Sequence, residues 1–456
     1  MIQKLTRRDA LCGLAAGTAL PLLNSPSLWA ADPPAPEKQD LKIAAIGVGG
    51  SRGKYRQGTS IARAASRFGT MVACCDVDDF HANEFNGLFE GKLKTYRDYR
   101  KLFENEKVDV VTIGTPDHWH TAIAIEAMRN GCDVYCEKPL TLTIDEGKLI
   151  RQVVQETGAV FQVGTQQRSS NNNQFLKAVV MAQSGRLGKN LKAYVGIGGG
   201  PTGGPFQTAS VPSDLDWNMW LGQAPEVEYT PERAHAEFRW WLEYSGGKMT
   251  DWGAHNIDIA MWALGVDQTG PVEVSGKGTF PQYIPASYDP WDFFSGKLKL
   301  PNGYNTAVNF EIDFRFDNGT TINVQPNAKG DNGNGILLEG DEGRIFVNRG
   351  KLAGKPIEEM SQADQEWLDA EVIKLYGGKQ PGNHMGNFFE CIADRSRPIS
   401  DVWSHHRIMT CCHMCNITLL LGRPLQWDPE KEEFIGDEQA NRLLTRPQRK
   451  GFEIKV

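Results

Sequence analysis

The chain has 456 residues, of which 40% are hydrophobic and 23% are charged, and its formal net charge is -7. This balance is typical of a folded globular protein, and the length predicts two or three domains. An acidic chain without a basic stripe argues against a nucleic-acid partner, so a small-molecule substrate is expected.

The first 31 residues have the pattern of a targeting segment. Basic residues that include Arg7 and Arg8 precede an apolar run over 10–23, and small residues follow it. This order predicts a cleaved signal peptide, and the arginine pair favours twin-arginine export over a Sec signal. Residues 32–40 predict a flexible linker. We therefore expect a periplasmic or otherwise exported protein that has no membrane span after cleavage.

The nine cysteines show no regular spacing, and one of them lies in the signal segment. Twin-arginine export carries proteins that have already folded in a reducing compartment, which predicts free, buried thiols. Cys411, Cys412 and Cys415 lie in a helical pattern with apolar neighbours, so we predict a packed helix there and no metal site.

From residue 41 onward, short apolar runs alternate with helical segments. The runs predict strands at 41–48, 70–75, 108–114, 133–136 and 160–164, with helices at 54–68, 118–130 and 143–157. Strands that alternate with helices are typical of a parallel sheet with helices on both faces. The sequence therefore predicts an α/β fold whose first domain, over 41–164, is a doubly wound Rossmann sheet.

The second part of the chain, over 165–456, has a different pattern of predicted elements. Turn sequences separate β-rich runs such as 306–314 and 320–324, and the segment 384–421 is helical. Hairpin turns between β-rich runs indicate antiparallel pairing. We expect a C-terminal α+β domain with a large, mostly antiparallel sheet.

A glycine run follows the first predicted strand and precedes a helix. Gly47 and Gly49 begin a G-x-G pattern, and Gly53 comes one position later than in the simple dinucleotide fingerprint. Asp76, at the end of the second strand, lies 23 residues after Gly53, close to the spacing of a ribose-binding carboxylate. The negative charge of Asp76 favours NAD over NADP, whereas the positive charge of Arg52 favours the 2′-phosphate of NADP. The predicted cofactor contacts in this part are Gly47, Gly49, Gly50, Ser51, Arg52 and Asp76.

Two further motifs have residue types suited to catalysis. Lys138, between Glu137 and Pro139, lies at the sheet edge where open α/β folds bind ligands, although a solvated surface lysine is the alternative. Asp251 and His255 are four residues apart, so one helix face presents both. A carboxylate can orient a histidine and raise its basicity, while a buried structural pair is the alternative.

Three weaker candidates for substrate binding stand outside these motifs. Gln166 and Arg168 follow the last Rossmann strand, where they could bind hydroxyl groups. Trp252 belongs to a tryptophan-rich stretch over 217–262. Aromatic rings pack against the C–H faces of sugars, but most of them pack in cores.

Together the glycine run, the Glu137–Lys138–Pro139 motif and the 251–255 motif resemble the Gfo/Idh/MocA oxidoreductases over nearly all of 41–456. The resemblance implies a nicotinamide cofactor and a C-terminal sheet that forms a homo-oligomer interface, and it does not imply a metal. It implies that Lys138 places substrate and nicotinamide, and that Asp251 and His255 lie in the substrate site with His255 as acid and base. It also places the segment after the third strand beside the cofactor. The further cofactor contacts expected from it are Thr115, Pro116, His118, His120, Glu137 and Lys138.

The expected reaction is reversible hydride transfer between a sugar or polyol hydroxyl and a tightly bound NAD(P). His255 would take the hydroxyl proton, Asp251 would orient His255, and Lys138 would stabilise the alkoxide. Two alternatives stay open. One is an NAD-dependent glycoside hydrolase or lyase that works through a transient keto-sugar, and the other is a non-catalytic protein that binds sugar or nucleotide.

Overall fold

The computed structural model describes residues 40–50, 56–330 and 332–455. The predicted signal peptide, the predicted linker up to residue 39, and the candidate residues Ser51 and Arg52 lie outside the described residues.

Within the described residues, the first half of the chain forms a six-stranded parallel sheet in the order β3-β2-β1-β4-β5-β6, which confirms the predicted Rossmann architecture. The strands are β1 (Lys42–Ile46), β2 (Thr70–Cys75), β3 (Lys94–Tyr96), β4 (Val110–Ile113), β5 (Asp133–Cys136) and β6 (Phe161–Val163). All four residues of β4 are buried, as expected for a parallel strand that is covered on both faces.

Helices cover this sheet on both faces. They are α1 (Gln57–Ala65), α2 (Asp79–Gly87), α3 (Tyr99–Asn105), α4 (His120–Arg129) and α5 (Ile144–Thr157). Ile43 and Ala45 of β1 pack in one apolar cluster with α1, and Ala44 and Ile46 pack in another with α4 and α5. This alternation follows from the two-residue period of a strand.

The second sheet has nine strands in the described residues, in the order β13-β12-β11-β7-β10-β9-β8-β14-β15. Only the β7–β10 pair is parallel, so the predicted mostly antiparallel sheet is confirmed. The strands are β7 (Lys192–Gly196), β8 (Glu273–Thr279), β9 (Asn309–Arg315), β10 (Thr321–Gln325), β11 (Gly335–Glu339), β12 (Arg344–Val347), β13 (Leu352–Ala353), β14 (Leu425–Asp428) and β15 (Glu433–Phe434).

Helices cover one face of the second sheet. Chief among them are α6 (Gln174–Gln183), α9 (Gly253–Ala263) and α14 (Val402–Leu421). The other helices of this part of the chain are α7 (Trp217–Leu221), α8 (Lys248–Asp251), α10 (Pro290–Phe294), α11 (Lys355–Glu358), α12 (Gln362–Leu375), α13 (His384–Asp394) and α15 (Glu438–Arg442). Phe310, Ile312 and Phe314 of β9 point into the core shared with α6, α9 and α14, whereas Asp313 and Arg315 are exposed. The opposite face of this sheet is therefore polar.

One C-terminal helix returns to the first sheet. Phe389 of α13 stacks on Phe68 with ring centroids 4.7 Å apart, and Phe388 lies edge-on to Tyr135. The buried side chains of α13 complete the same apolar cluster as Ile43. The first sheet is thus covered in part by residues more than 200 positions further along the chain.

The eight cysteines of the described residues are all free and buried, as predicted. Cys411, Cys412 and Cys415 pack within α14, which confirms the predicted packed helix. In the part of the chain that the structure describes, no helix combines the length and the apolar character that a membrane crossing needs.

Candidate active site

A cleft lies at the carboxyl ends of the parallel strands, where open α/β sheets bind ligands. Of the residues singled out in the sequence, Gly47, Gly49, Gly50, Asp76, Thr115, Pro116, Glu137, Lys138 and Asp251 line it. The cleft therefore brings together residues from four strand ends of the first sheet with Asp251 of α8.

The glycines allow backbone contacts that a side chain would block. A Cβ on Gly47 would lie 2.5 Å from the Thr115 nitrogen, and Gly47 has a φ of +74°. A Cβ on Gly58 would lie 1.9 Å from the Gly47 oxygen, and one on Gly114 would lie 2.6 Å from the Gly58 Cα. Gly58 of α1, which the sequence analysis did not single out, thus makes the close helix–strand approach that a dinucleotide fold requires.

Asp76 stands directly beside the glycine loop. Its Oδ2 accepts hydrogen bonds from the backbone nitrogens of Val48 and Gly49, both at 3.0 Å. Its side chain is 9% exposed and faces the cleft. A carboxylate at this place can accept hydrogen bonds from a ribose and repels a 2′-phosphate, so the residues fit NAD.

Glu137 is buried and joins α1 to the segment that follows β6. It accepts hydrogen bonds from Gln57 of α1 at 2.8 Å and from Gln166 at 3.0 Å, and burial raises its pKa. Gln166 was predicted to bind substrate, but its amide is instead committed to Glu137 and, at 3.3 Å, to Tyr135. Gln166 therefore helps to hold the Glu137 side chain in place.

Lys138 and Asp251 form a close, buried ion pair across the cleft. The Lys138 Nζ lies 2.6 Å from Asp251 Oδ1 and 3.0 Å from the Asp251 carbonyl oxygen, and the side chains are 11% and 8% exposed. Arg239, absent from the predicted set, donates to Asp251 Oδ2 at 3.3 Å. Burial raises the pKa of Asp251, but Lys138 and Arg239 outweigh that effect and lower it. The carboxylate is therefore ionised.

The predicted contact between Asp251 and His255 is wrong, because both oxygens of Asp251 are committed to cations. Two cations bind a carboxylate more strongly than a neutral imidazole does. Among the described residues, the buried Nδ1 of His255 has no hydrogen-bond partner. Burial, together with the charge of Lys138, holds the pKa of His255 well below 6.5. His255 is thus a neutral imidazole within electrostatic reach of Lys138.

The two histidines that follow the third predicted strand are fully buried. The Nε2 of His118 lies 2.9 Å from the Trp220 carbonyl oxygen, and burial lowers the pKa of His118 to about 3. The ring of His120 lies between the carbonyl oxygens of Pro139 and Thr115, each at 2.9 Å. These rings fix the loops that carry the cleft residues, so they act behind the wall of the cleft, not as the predicted cofactor contacts.

Asp117 also lines the cleft. Its carboxyl accepts a hydrogen bond from Ser245 at 2.5 Å, and burial raises its pKa to about 7. Its charge state therefore changes near neutral pH.

Arg168 is not available to a substrate, contrary to the prediction. It binds Asp258 of α9 through two nitrogens, with Nε 2.9 Å from Oδ1 and Nη2 2.5 Å from the same oxygen. Its guanidinium lies 4.6 Å from the ring centroid of Trp262. The third weak candidate, Trp252, packs half-buried against the core with the Arg349 guanidinium 4.7 Å from its ring.

A further polar cluster lies at the Asp76 end of the cleft. Asp78 Oδ2 lies 3.8 Å from His81 Nδ1 and 3.6 Å from His235 Nε2. Among the described residues, it is the group of side chains whose chemistry and spacing suit a metal ion. A Cβ on Gly49 would lie 2.0 Å from His81, so the cluster forms the wall of the dinucleotide end of the cleft.

The Arg168–Asp258 pair yields a stability prediction. Arg168→Met should lower the free energy of unfolding by about 3–5 kcal/mol, because it leaves the Asp258 charge buried without its partner. Chemical denaturation measures this loss. Arg186→Met, which removes a half-exposed arginine paired with Asp364, is the matched control and should cost about 1 kcal/mol or less. Equal losses in the two variants would contradict the structural role of Arg168.

Comparison with known proteins places this site in a family. Residues 41–165 match the Gfo/Idh/MocA oxidoreductase family, NAD-binding Rossmann fold, and residues 179–288 and 301–454 match that family's C-terminal alpha/beta domain. The chain is 26% identical over 258 residues to scyllo-inositol 2-dehydrogenase (NAD(+)) of Bacillus subtilis (strain 168), and the match covers 56% of this chain and 59% of that protein.

A second relative is D-glucoside 3-dehydrogenase of Escherichia coli (strain K12), 24% identical over 272 residues that cover 58% of this chain and 68% of that protein. The solved structure of myo-inositol 2-dehydrogenase from Lactobacillus plantarum shares the fold, with a TM-score of 0.52 and 17% identity over 85% of this chain and 99% of that chain. The chain belongs to the Gfo/Idh/MocA family of NAD-binding oxidoreductases.

Proposed function

We propose that the protein is an NAD-dependent dehydrogenase that transfers hydride between a sugar or polyol hydroxyl and a tightly held cofactor. The observation that carries the proposal is the single cleft that joins Asp76 and its glycine loop to the Lys138–Asp251 pair. The two curated relatives are named as dehydrogenases of an inositol and of a glucoside, which supports the substrate class.

NAD would supply the hydride acceptor, and the chain would bind it along the first sheet. The loop at Gly47 and Gly49 leaves room for a pyrophosphate, and Asp76 offers its carboxylate to a ribose. Thr115 and Pro116 continue the same wall toward Lys138.

Segments of the second domain close the Asp76 end of the cleft. The Asp79 nitrogen donates to the Asp214 carbonyl oxygen, and the Asp216 nitrogen donates to the Val77 carbonyl oxygen, each at 2.9 Å. His235 adds a side-chain contact to Asp78. These contacts join the loop after β2 to the second domain, which supports slow release of a bound dinucleotide.

Lys138 would place and polarise the reacting oxygen. Asp251 holds the ammonium group at the cleft wall, and a charge-assisted hydrogen bond from it stabilises the alkoxide that develops as hydride leaves carbon. Because the ion pair is already in place and shielded from water, it can stabilise the alkoxide without a rearrangement of the surrounding groups.

His255 would accept the hydroxyl proton. Its neutral imidazole carries a nitrogen, Nδ1, without a hydrogen-bond partner in the described structure, and Lys138 stands near enough to lower its pKa. In this arrangement Asp251 positions Lys138, and the proton moves to His255.

The cofactor preference gives one prediction. The wild type should bind NADH more tightly than NADPH, and Asp76→Ala should narrow that difference, because the carboxylate that repels the 2′-phosphate is gone. Titration of dinucleotide fluorescence measures both affinities. Asp369→Ala, which removes an exposed carboxylate of α12, is the control and should leave the preference intact. Tighter binding of NADPH by the wild type would contradict the role of Asp76.

The catalytic pair gives another prediction. His255→Ala should bind NADH normally but lower single-turnover NAD reduction by about 10²–10⁴-fold, the usual contribution of a positioned base. Lys138→Met should lower turnover and also raise the KM for sugar, whereas Lys101→Met at the surface should change neither.

The dependence of activity on pH distinguishes a catalytic His255 from a purely structural one. With a folded pKa well below 6.5, His255 stays neutral as the pH falls through 6.5, so wild-type activity should persist there and disappear only at lower pH. Near-normal single-turnover rates in His255→Ala, accompanied by a large loss of thermal stability, would show a purely structural histidine.

Location and assembly are part of the proposal. The Arg7–Arg8 signal favours twin-arginine export, which would deliver the folded, cofactor-loaded protein; cell fractionation of wild type and of an R7K/R8K variant tests this.

The polar face of the second sheet, with Asp313 and Arg315, favours a homo-oligomer interface, which light scattering measures directly.

A further inference from the structure

Asp117 lies on the wall of the cleft with one carboxyl oxygen that lacks a donor. The residue is 4% exposed and lines the cleft shortly after the end of β4. Its Oδ2 accepts the hydrogen bond from Ser245 at 2.5 Å, whereas Oδ1 has no hydrogen-bond donor within the described residues. An unsatisfied oxygen on a buried carboxyl is costly, so the missing donor calls for a ligand in the cleft.

Two buried carboxylates that hold the fold differ from Asp117 in this respect. Asp258 accepts from the Arg168 Nε on both of its oxygens, at 2.9 and 3.0 Å. Glu243 accepts from an arginine on Oε1 at 2.8 Å and from an asparagine on Oε2 at 2.7 Å. In these two residues the protein itself supplies a donor to each oxygen. Asp117 departs from this pattern at a place that is open to the cleft.

The Ser245 contact holds Asp117 on the substrate side of the cleft. Ser245 comes just before α8, the helix that ends at Asp251, so the Asp117 carboxyl joins the end of β4 to the second domain. Lys138 follows β5, the neighbour of β4, and adjacent strands lie roughly 4.8 Å apart. The charge of Lys138 also acts on Asp117, against the larger effect of burial on its pKa. A ligand therefore contacts Asp117 close to the oxygen that Lys138 polarises.

The chemistry of the open oxygen selects its partner. An ionised carboxyl only accepts hydrogen bonds, so Oδ1 favours a hydroxyl or an amide N–H and disfavours an anion. On a sugar or polyol, the donor nearest to the reacting oxygen is the hydroxyl on the next carbon. The amide of the nicotinamide is the other donor at this end of the cleft. Thr115 and Pro116 form the wall on the cofactor side, however, while Ser245 draws the Asp117 carboxyl toward the second domain.

We propose that Asp117 determines specificity by accepting a hydrogen bond, at Oδ1, from the substrate hydroxyl next to the one that is oxidised. The substrate is then a sugar or polyol with a free vicinal diol at the reacting position. This inference rests on the proposed dehydrogenase function. Lys138 and Asp117 together hold two neighbouring oxygens, which fixes the carbon that faces the nicotinamide. Ser245 positions the carboxyl and does not touch the substrate.

The test measures NAD reduction with methyl hexopyranosides, inositols and their monodeoxy derivatives. NMR of the product identifies the oxidised carbon of the compound with the highest kcat/KM, and the derivatives that lack a hydroxyl on a neighbouring carbon are compared with it. One of them should lose about 10–100-fold in kcat/KM, the usual value of a hydrogen bond to a charged group. Asp117→Ala should lose about as much with the parent compound and little more with that derivative, because both changes remove the same bond.

Three further variants accompany the comparison. Asp117→Asn keeps the shape of the side chain and one acceptor oxygen, so it should lose less than Asp117→Ala, and it replaces that variant if the alanine protein does not fold. Ser245→Ala should also give a smaller loss, because it removes only the positioning contact. Asp289→Asn makes the same substitution at an exposed carboxyl that caps α10 and should leave kcat/KM intact. NADH affinity should equal that of the wild type in every variant.

The outcomes separate the role of Asp117 from the reaction itself. A loss in Asp117→Ala that is the same for the parent compound and for every deoxy derivative would overturn the contact, as would a loss of thermal stability with unchanged kcat/KM. Weaker NADH binding with unchanged discrimination among the compounds would assign Oδ1 to the nicotinamide amide and overturn it too. In each of these cases NAD reduction by the wild type leaves the dehydrogenase function standing. Absence of NAD reduction with all of the compounds would instead contradict the proposed function, and the role of Asp117 with it.

Discussion

The Lys138–Asp251 ion pair is the contact on which the rest of the site depends. It joins the end of a Rossmann strand to a helix that packs against α9 and α14, through atoms 2.6 Å apart and residues 113 positions apart in the chain. Taking both charges out of water costs several kcal/mol, and their attraction repays this only when the geometry is good. Such a pair is weak evidence for stability, so its place in the cleft indicates a role in chemistry.

The three residues of the motif around Lys138 serve three different neighbours. Glu137 accepts from Gln57 of the helix that follows the glycine loop, Lys138 reaches Asp251, and the Pro139 carbonyl oxygen lies against His120. One strand end therefore couples the cofactor loop to the second domain. A change in the position of this strand end would move the glycine side and the substrate side of the cleft together.

Much of the fold could be predicted from the sequence because its signals are local. The strand Thr70–Cys75 and the helix Ile144–Thr157, which Thr143 caps and Gly158 ends, lie within a residue of their predicted bounds. The segment between Asp76 and residue 108 was missed, because its strand has three residues and its two short helices carry little apolar periodicity. The return of α13 to the first sheet has no local signal at all.

The residues of the candidate site also fall into two groups, those with a local sequence signal and those without one. The glycine loop, Asp76 and Lys138 are found from spacing and position at strand ends, since these depend on neighbours in the chain. The partner of Asp251 could not be found in this way: four-residue spacing favours His255, but folding brings Lys138 and Arg239 to the carboxylate. Arg168 was misjudged for the same reason, because its partner Asp258 lies 90 residues away.

These long-range pairs also explain the electrostatic state of the site. Arg168 is neutralised by Asp258, and Arg233 is neutralised by Glu243, so each of these two buried cations has its own carboxylate. Around Asp251 the pattern differs, because Lys138 and Arg239 both bind its carboxylate. These buried ion pairs hold the fold, whereas the Asp251 pairs lie at the cleft. Burial, together with the charge of Lys138, keeps His255 neutral, so the same region holds both a cation and an uncharged imidazole.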